Sequence, residues 1–174
     1  MTEHFSTRFL KNITAEPGDP TFSILKAHLL IEDLIRTFLE NKAKNPASIK
    51  KAKLSFAQAL QVARAFCEDV SQDHWIWKAM TDLNRLRNDL AHNLDPDELE
   101  NKIEAYISYV VSSVGIPLPE PLTPVEYAEK LTTAQLSGRP TLATYYKIDM
   151  ANIGLYSCVL GALGFEAESN ALSN

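Results

Sequence analysis

FSILKAHLLIEDLIRTFLENK, residues 22–42, contains neither glycine nor proline, so no residue in it breaks a helix. Apolar residues recur along it at the spacing of one helical face. The expected buried stripe is Leu25, Leu29, Ile35 and Leu39. Glu32 falls on the same stripe, one turn after His28. The stretch therefore predicts a long amphipathic helix that carries one acid among its apolar residues.

Three further helical patterns follow this one. Ser55 and Gln58 have the spacing of a capping box, which predicts a helix that starts there. A third helix is expected over about 72–93, and a fourth over 99–114 after a proline suited to a first helical turn. No run alternates as a strand would. The patterns predict an all-α protein, with an antiparallel four-helix bundle in residues 1–114.

The remainder of the chain predicts an additional C-terminal helical pair. Residues 115–124, GIPLPEPLTP, carry four prolines in ten residues and are expected to form a linker. The pair is expected within residues 125–166. Its second helix, about 141–165, is apolar nearly all round and must be covered. The bundle or a second subunit could provide that cover.

Composition excludes several classes of protein. The chain has 174 residues, 45% of them apolar and 22% charged, with a net charge of −5. Its two cysteines, Cys67 and Cys158, form no CxxC pair, so neither a zinc site nor a disulfide framework is expected. No signal peptide or membrane-spanning run is found. We expect a cytoplasmic protein without a metal or cofactor.

A cluster of lysines lies within residues 41–67, where no acid occurs. It includes Lys50, Lys51 and Lys53. Two interpretations stay open: a solvated loop, or a rim that faces phosphate groups. The second predicts binding that weakens strongly with salt.

The third helix carries polar residues that packing alone does not explain. Its expected core stripe is Met80, Leu83, Arg87, Leu90, Ala91 and Leu94. An arginine in such a stripe is costly unless an anion meets it. Asn88 and His92 are four residues apart, hence neighbours on an adjoining face. Arg87 and His92 are about 140° apart on an ideal helix, so one straight helix cannot aim both at one ligand.

Two explanations of Arg87 and His92 compete. Arg87 could pair with a buried carboxylate, and His92 could be a helix-end histidine favoured by the macrodipole. Alternatively, both could belong to a site between bundle helices, or between two subunits. Glu32, an acid on an apolar stripe, favours the second explanation.

The segment RNDLAH, residues 87–92, resembles the R-x(4–6)-H motif of the HEPN superfamily. KAHLLIEDLIRTFLENK, LSFAQALQVARAF and LNRLRNDLAHNL resemble its series of helices. The resemblance covers about residues 20–114 and implies a HEPN-like four-helix bundle. It also implies a metal-independent endoribonuclease, often a toxin or host-defence effector, built as a homodimer with its site in the interface cleft.

The resemblance further implies roles for individual residues. His92 would exchange a proton with the 2′-hydroxyl or the leaving 5′-oxygen, and Arg87 would stabilise the phosphoryl charge. Asn88 would orient the phosphate or the imidazole. Supporting roles fall to Glu32 and Asp89, RNA-binding roles to Lys50, Lys51 and Lys53. The partners implied are RNA, a second copy and an antitoxin or regulatory protein.

One position departs from the family pattern. HEPN toxins paired with nucleotidyltransferase antitoxins commonly carry a tyrosine two residues after the histidine, and this chain has Leu94 there. Control by adenylylation is therefore not expected. Two other functions stay open: a non-catalytic HEPN-like binding or regulatory module, resembling mannitol-operon-repressor-type proteins, and a structural or assembly module.

Overall fold

A computed structural model of the chain describes residues 20–92, 96–115 and 142–165, without the side chains of residues 92, 96–97 and 142–146. Within these ranges the protein is all-helical, which confirms the predicted class. The helices are α1 (Pro20–Lys42), α2 (Pro46–Ala52), α3 (Phe56–Phe66), α4 (Trp75–His92), α5 (Pro96–Val114) and α6 (Leu142–Ala162). None of them has the length and apolar content that a membrane crossing requires. The finer expectation, a HEPN-like antiparallel four-helix bundle, stays a prediction.

Helix α1 forms the centre of the fold, because α2, α3, α4 and α6 all pack against it. Its largest fully buried side chains are Ile24, Ile31, Leu34 and Ile35. Leu29, expected in the core, is 63% exposed, so this part of the predicted stripe is wrong. The face that is buried carries more apolar residues than the predicted one. Turning it inward therefore removes more apolar surface from water.

Helix α4 also differs from its predicted stripe. The buried residues are Ile76, Trp77, Ala79, Met80, Leu83 and Leu86. Arg87 and Ala91 are exposed, so the prediction that Arg87 occupies a core position is wrong. Leu86 takes that position instead, since burying leucine is favourable and burying an unpaired guanidinium is costly. Leu94 lies outside the described residues.

Helix α6 packs on α1, α5 and α4 of its own chain. Its fully buried side chains include Ile148, Leu155 and Val159. This intramolecular packing covers much of the apolar surface for which a partner subunit was the alternative. The predicted helix before α6, and all of the proline-rich linker except Gly115, lie outside the described residues.

A buried polar network joins α1, α5 and α6. The Tyr106 hydroxyl donates to Asn152 Oδ1 at 2.9 Å, and Asn152 Nδ2 donates to Ser23 Oγ at 3.0 Å. Ser23 Oγ in turn donates to Asp149 Oδ1 at 2.6 Å. Burial raises the pKa of Asp149, and the bond from Ser23 opposes that shift. Because a buried polar group without a partner is costly, the network specifies how the three helices align.

The loop before α3 has two defined ends. Ser55 caps α3, and the predicted capping box with Gln58 is confirmed. Lys53, which ends α2, has a left-handed backbone with φ 47° and ψ 43°. Glycine is the usual residue at such a position, because a side chain there is strained.

Replacing Lys53 with glycine is therefore expected to stabilise the protein by about 1 kcal/mol. Urea denaturation measures the change. Lys51→Gly is the matched control: it removes the same charge inside α2, where glycine is unfavourable, and should destabilise. A shift of the same sign in both variants would contradict the strain argument.

Candidate functional site

A pocket of about 450 Å³ opens where α1, the start of α3 and α4 meet. It is lined by His28, Glu32 and Arg36 of α1, by Ser55, Phe56 and Ala57, and by Asn84, Arg87 and Asn88 of α4. The volume lies within the usual range for ligand sites. Three of the residues singled out from the sequence, Arg87, Asn88 and Glu32, therefore share one pocket.

Arg87 lines this pocket and has no carboxylate partner in the part of the chain that the structure describes. Its side chain is exposed, and Nη1 donates to Asn88 Oδ1 at 3.1 Å. No carboxylate among the described residues forms an ion pair with it. The described residues therefore do not show the alternative explanation, in which Arg87 pairs with a buried carboxylate. A positive charge in this setting is available to an anion from solution.

Glu32 is held by Arg36 rather than by Arg87. Arg36 Nε and Nη2 both donate to Glu32 Oε1, at 3.0 and 2.6 Å, and Nη2 also donates to the Leu54 carbonyl at 2.9 Å. The other carboxylate oxygen, Oε2, lies 3.9 Å from His28 Nδ1, too far for a hydrogen bond. Glu32 and Arg36 therefore form a fixed, charge-balanced wall of the pocket.

His28 is the pocket residue to which the sequence assigned no role. It is buried, its Nε2 lies 3.0 Å from Asn84 Oδ1, and its ring stacks on Phe56 with centroids 4.4 Å apart. Because Oδ1 only accepts, Nε2 carries the proton in this arrangement. Burial lowers the pKa of His28, and Arg87 adds to this, while Asn84 and Glu32 oppose it. The imidazole is neutral and structural at physiological pH.

The lowered pKa of His28 predicts a loss of stability in mild acid. The unfolded chain binds a proton as pH falls through 6.5, whereas the folded protein does not until a lower pH. Stability is therefore fully present above pH 6.5 and falls below it, by at most about 1.4 kcal/mol per pH unit. Urea denaturation at pH 7.5 and 5.5 should show a smaller drop for His28→Gln than for wild type. Equal drops would contradict the burial argument.

His92 is the last residue of α4, and its side chain lies outside the described part of the structure. Its backbone follows Asn88 by four residues, so both start from the same side of the helix. Both Arg87 and His92 lie on α4, where five residues of ideal helix separate their directions by about 140°. That the His92 imidazole and the Arg87 guanidinium meet in a cleft between two subunits stays a prediction.

Asp89 lies away from the Arg87 pocket, on the side of α4 that faces α5. Its Oδ2 accepts from Lys102 Nζ at 3.0 Å, and Lys102 also bonds Glu98 at 2.8 Å. These carboxylates raise the pKa of Lys102. Asp89 also lines a second pocket, of about 410 Å³, with Asp82 and Arg85, which pair with each other. It is not brought together with Glu32.

The three lysines predicted to contact RNA are exposed around the end of α2. Lys50 Nζ lies 3.2 Å from Glu40 Oε2, so its charge is partly neutralised. Lys53 is two residues before Ser55, which lines the Arg87 pocket. Of the three, Lys53 is thus closest along the chain to the candidate site.

In the part of the chain that the structure describes, no group of three His, Cys, Asp or Glu side chains is placed so that it could hold a metal ion. Comparison of the chain with protein-family models, with curated proteins and with solved structures gives no match.

Proposed function

We propose that this chain is a metal-independent endoribonuclease of the HEPN type, which acts as a toxin or host-defence effector. The observation that carries the proposal is Arg87: an exposed guanidinium beside Asn88, at a pocket, without a carboxylate partner among the described residues. An arginine so arranged offers several N–H donors to a phosphate. Its position five residues before His92 adds a proton-transfer group within the same motif.

The reaction is an internal transesterification of RNA. The 2′-oxygen attacks phosphorus, a new P–O2′ bond forms, and the P–O5′ bond breaks. One group accepts the proton of the 2′-hydroxyl, and another gives a proton to the leaving 5′-oxygen. His92 performs one of these transfers, because an imidazole titrates near neutral pH. Arg87 stabilises the charge that develops on the phosphoryl oxygens.

The proposed enzyme is a homodimer with a composite cleft. Arg87 and His92 diverge on one helix, so a second copy would supply the complementary group to each phosphate. RNA is the substrate, and the exposed lysines at the end of α2 contact the RNA backbone. An antitoxin or regulatory protein is the expected partner. The HEPN-like four-helix bundle belongs to this same proposal.

A second candidate function is a HEPN-like regulatory module that binds without cleaving. It is favoured by the state of His28: the histidine within the pocket is buried, neutral and engaged by Asn84 and Phe56. If His92 does not reach the phosphate, the pocket holds an anion-binding arginine but no proton-transfer group. Such a protein would bind RNA or nucleotides and release them intact.

The experiment that separates the two functions is a cleavage assay on purified protein in excess EDTA. We expect single-stranded RNA to be cut, and the rate to be unchanged by the chelator. Binding of the same RNA is measured in parallel by filter retention. Binding without cleavage would exclude the ribonuclease and favour the regulatory module. If the RNA is neither bound nor cleaved, both functions are excluded.

A further inference from the structure

The Arg87 pocket has an unequal supply of free hydrogen-bonding groups. On the acceptor side, Glu32 Oε1 already takes two bonds from Arg36, which leaves Oε2 as the open carboxylate oxygen. The hydroxyl of Ser55 is engaged by its own capping box. Among the described side chains that line the pocket, Glu32 Oε2 is therefore the one carboxylate oxygen that accepts no hydrogen bond from the described residues.

The open donors come from α4. Asn88 Oδ1 accepts from Arg87, which can only donate, so the Asn88 amide nitrogen is the other end of that side chain and has no partner among the described residues. Asn84 Oδ1 is taken by His28 Nε2, which likewise leaves Asn84 Nδ2 without a partner among the described residues. Asn84 and Asn88 are four residues apart, so both amides lie on one side of the helix. The pocket thus offers two amide donors and one carboxylate acceptor.

The geometry points to a subsite for a pyrimidine base, beside the phosphate that Arg87 would bind. The Watson–Crick edge of uracil has one N–H between two carbonyl oxygens, and that of cytosine has one amino group and two acceptors. Each needs one acceptor and two donors in total, as many as Glu32, Asn84 and Asn88 present, with the acceptor facing the middle of the uracil edge and one end of the cytosine edge. Guanine needs two acceptors, and adenine leaves one amide unpaired. This inference rests on the proposed RNA-cleaving function and names its base preference.

The residues around Glu32 hold one another in place. The stacked rings of His28 and Phe56 form part of the lining, and Arg36 is fixed against Glu32. Because Arg36 holds Oε1 in place, Oε2 keeps one orientation. A buried or half-buried carboxylate of fixed geometry discriminates ligands by the partners it leaves unpaired.

Titration calorimetry on the full chain tests the subsite without requiring cleavage. We expect uridine and cytidine 3′-monophosphates to bind about tenfold more tightly than the adenosine and guanosine compounds, as one additional good hydrogen bond predicts. Glu32→Gln would place an amide donor where the ligand needs an acceptor, and should abolish the difference. Asn88→Leu should weaken pyrimidine binding as well.

Glu40→Gln is the matched control, since Glu40 is another half-buried carboxylate of α1, 28% exposed against 24% for Glu32, and pairs with Lys50. It should leave the preference among the four nucleotides unchanged, even if release of Lys50 alters all four affinities together, and circular dichroism checks that each variant is folded. Equal affinity for the four nucleotides, no binding, or an unaltered preference in Glu32→Gln overturns the subsite. RNA cleavage with no base preference would overturn the subsite alone, whereas pyrimidine binding without any cleavage would overturn the proposed reaction alone.

Discussion

Arg87→Ala is expected to lower the rate of RNA cleavage about 100- to 1,000-fold, the loss typical when one preorganised donor to a developing negative charge is removed. The side chain is exposed, and its one hydrogen bond among the described residues is to Asn88, so its removal should leave the fold intact. Single-turnover cleavage of a labelled RNA measures the rate. Thermal denaturation by circular dichroism checks that stability has changed little.

Arg85→Ala is the matched control. Arg85 lies two residues earlier on α4 and is also exposed. Its Nη1 is 3.4 Å from Asp82 Oδ1, and it does not line the Arg87 pocket. Its removal takes the same charge from the same helix and should leave the cleavage rate within about threefold of wild type, as expected for a weak surface ion pair. If the two variants lose activity equally, overall charge rather than a phosphate-binding site explains the result. His92→Ala should lower the cleavage rate by a similar factor to Arg87→Ala.

Leu155→Ala is expected to lower the free energy of unfolding by about 2–5 kcal/mol, the cost of a cavity left by a buried leucine. Leu155 is fully buried on α6, the helix that packs against α1, α5 and α4. Urea denaturation followed by circular dichroism measures the loss. Because α6 belongs to the same core as α1, the whole protein should unfold in one transition at a lower urea concentration.

Ser157→Ala provides the control for Leu155→Ala. Ser157 is exposed on the same helix, so its removal should change stability by less than about 0.5 kcal/mol. A small effect of Leu155→Ala, or a separate early transition for α6, would mean that this helix is an appendage and not part of the core. A stability that rises with protein concentration would instead assign part of its cover to a second copy.

The sequence was sufficient for the helical class because its signals are local. The capping box of Ser55 and Gln58 depends on residues three apart, and it is observed as predicted. The long pattern without glycine or proline corresponds to α1, and the apolar C-terminal run corresponds to α6. Such signals require no knowledge of tertiary contacts.

The phase of the buried faces could not be read from the sequence with the same success. On α4, a helical stripe through Met80, Leu83 and Leu90 can pass through either Leu86 or Arg87, since both spacings agree with 3.6 residues per turn. The predicted stripe chose Arg87, and the structure buries Leu86. The neighbouring helices decide between the two. Arg87 is thus an exposed charge that a ligand can reach, and not a buried charge that needs a partner within the core.

The role of His28 was not predictable for a similar reason. Its hydrogen-bond partner Asn84 is 56 residues away in the chain, and its stacking partner Phe56 lies on a third element. The only sequence signal was a histidine one turn before Glu32. Glu32 was expected to support Arg87 or His92, whereas its ion-pair partner in the structure is Arg36, four residues later on the same helix.

Cleavage through the 2′-hydroxyl is tested with DNA oligonucleotides that contain a single ribonucleotide, one for each of the four bases. They are incubated with the protein in EDTA, and the products are identified by mass spectrometry. We expect a cut immediately after the ribonucleotide, with a 2′,3′-cyclic phosphate on one fragment and a 5′-hydroxyl on the other, and a cut at least about 100-fold slower by Arg87→Ala. Cleavage at deoxynucleotides, or no cleavage in any of the four, would contradict the proposed reaction.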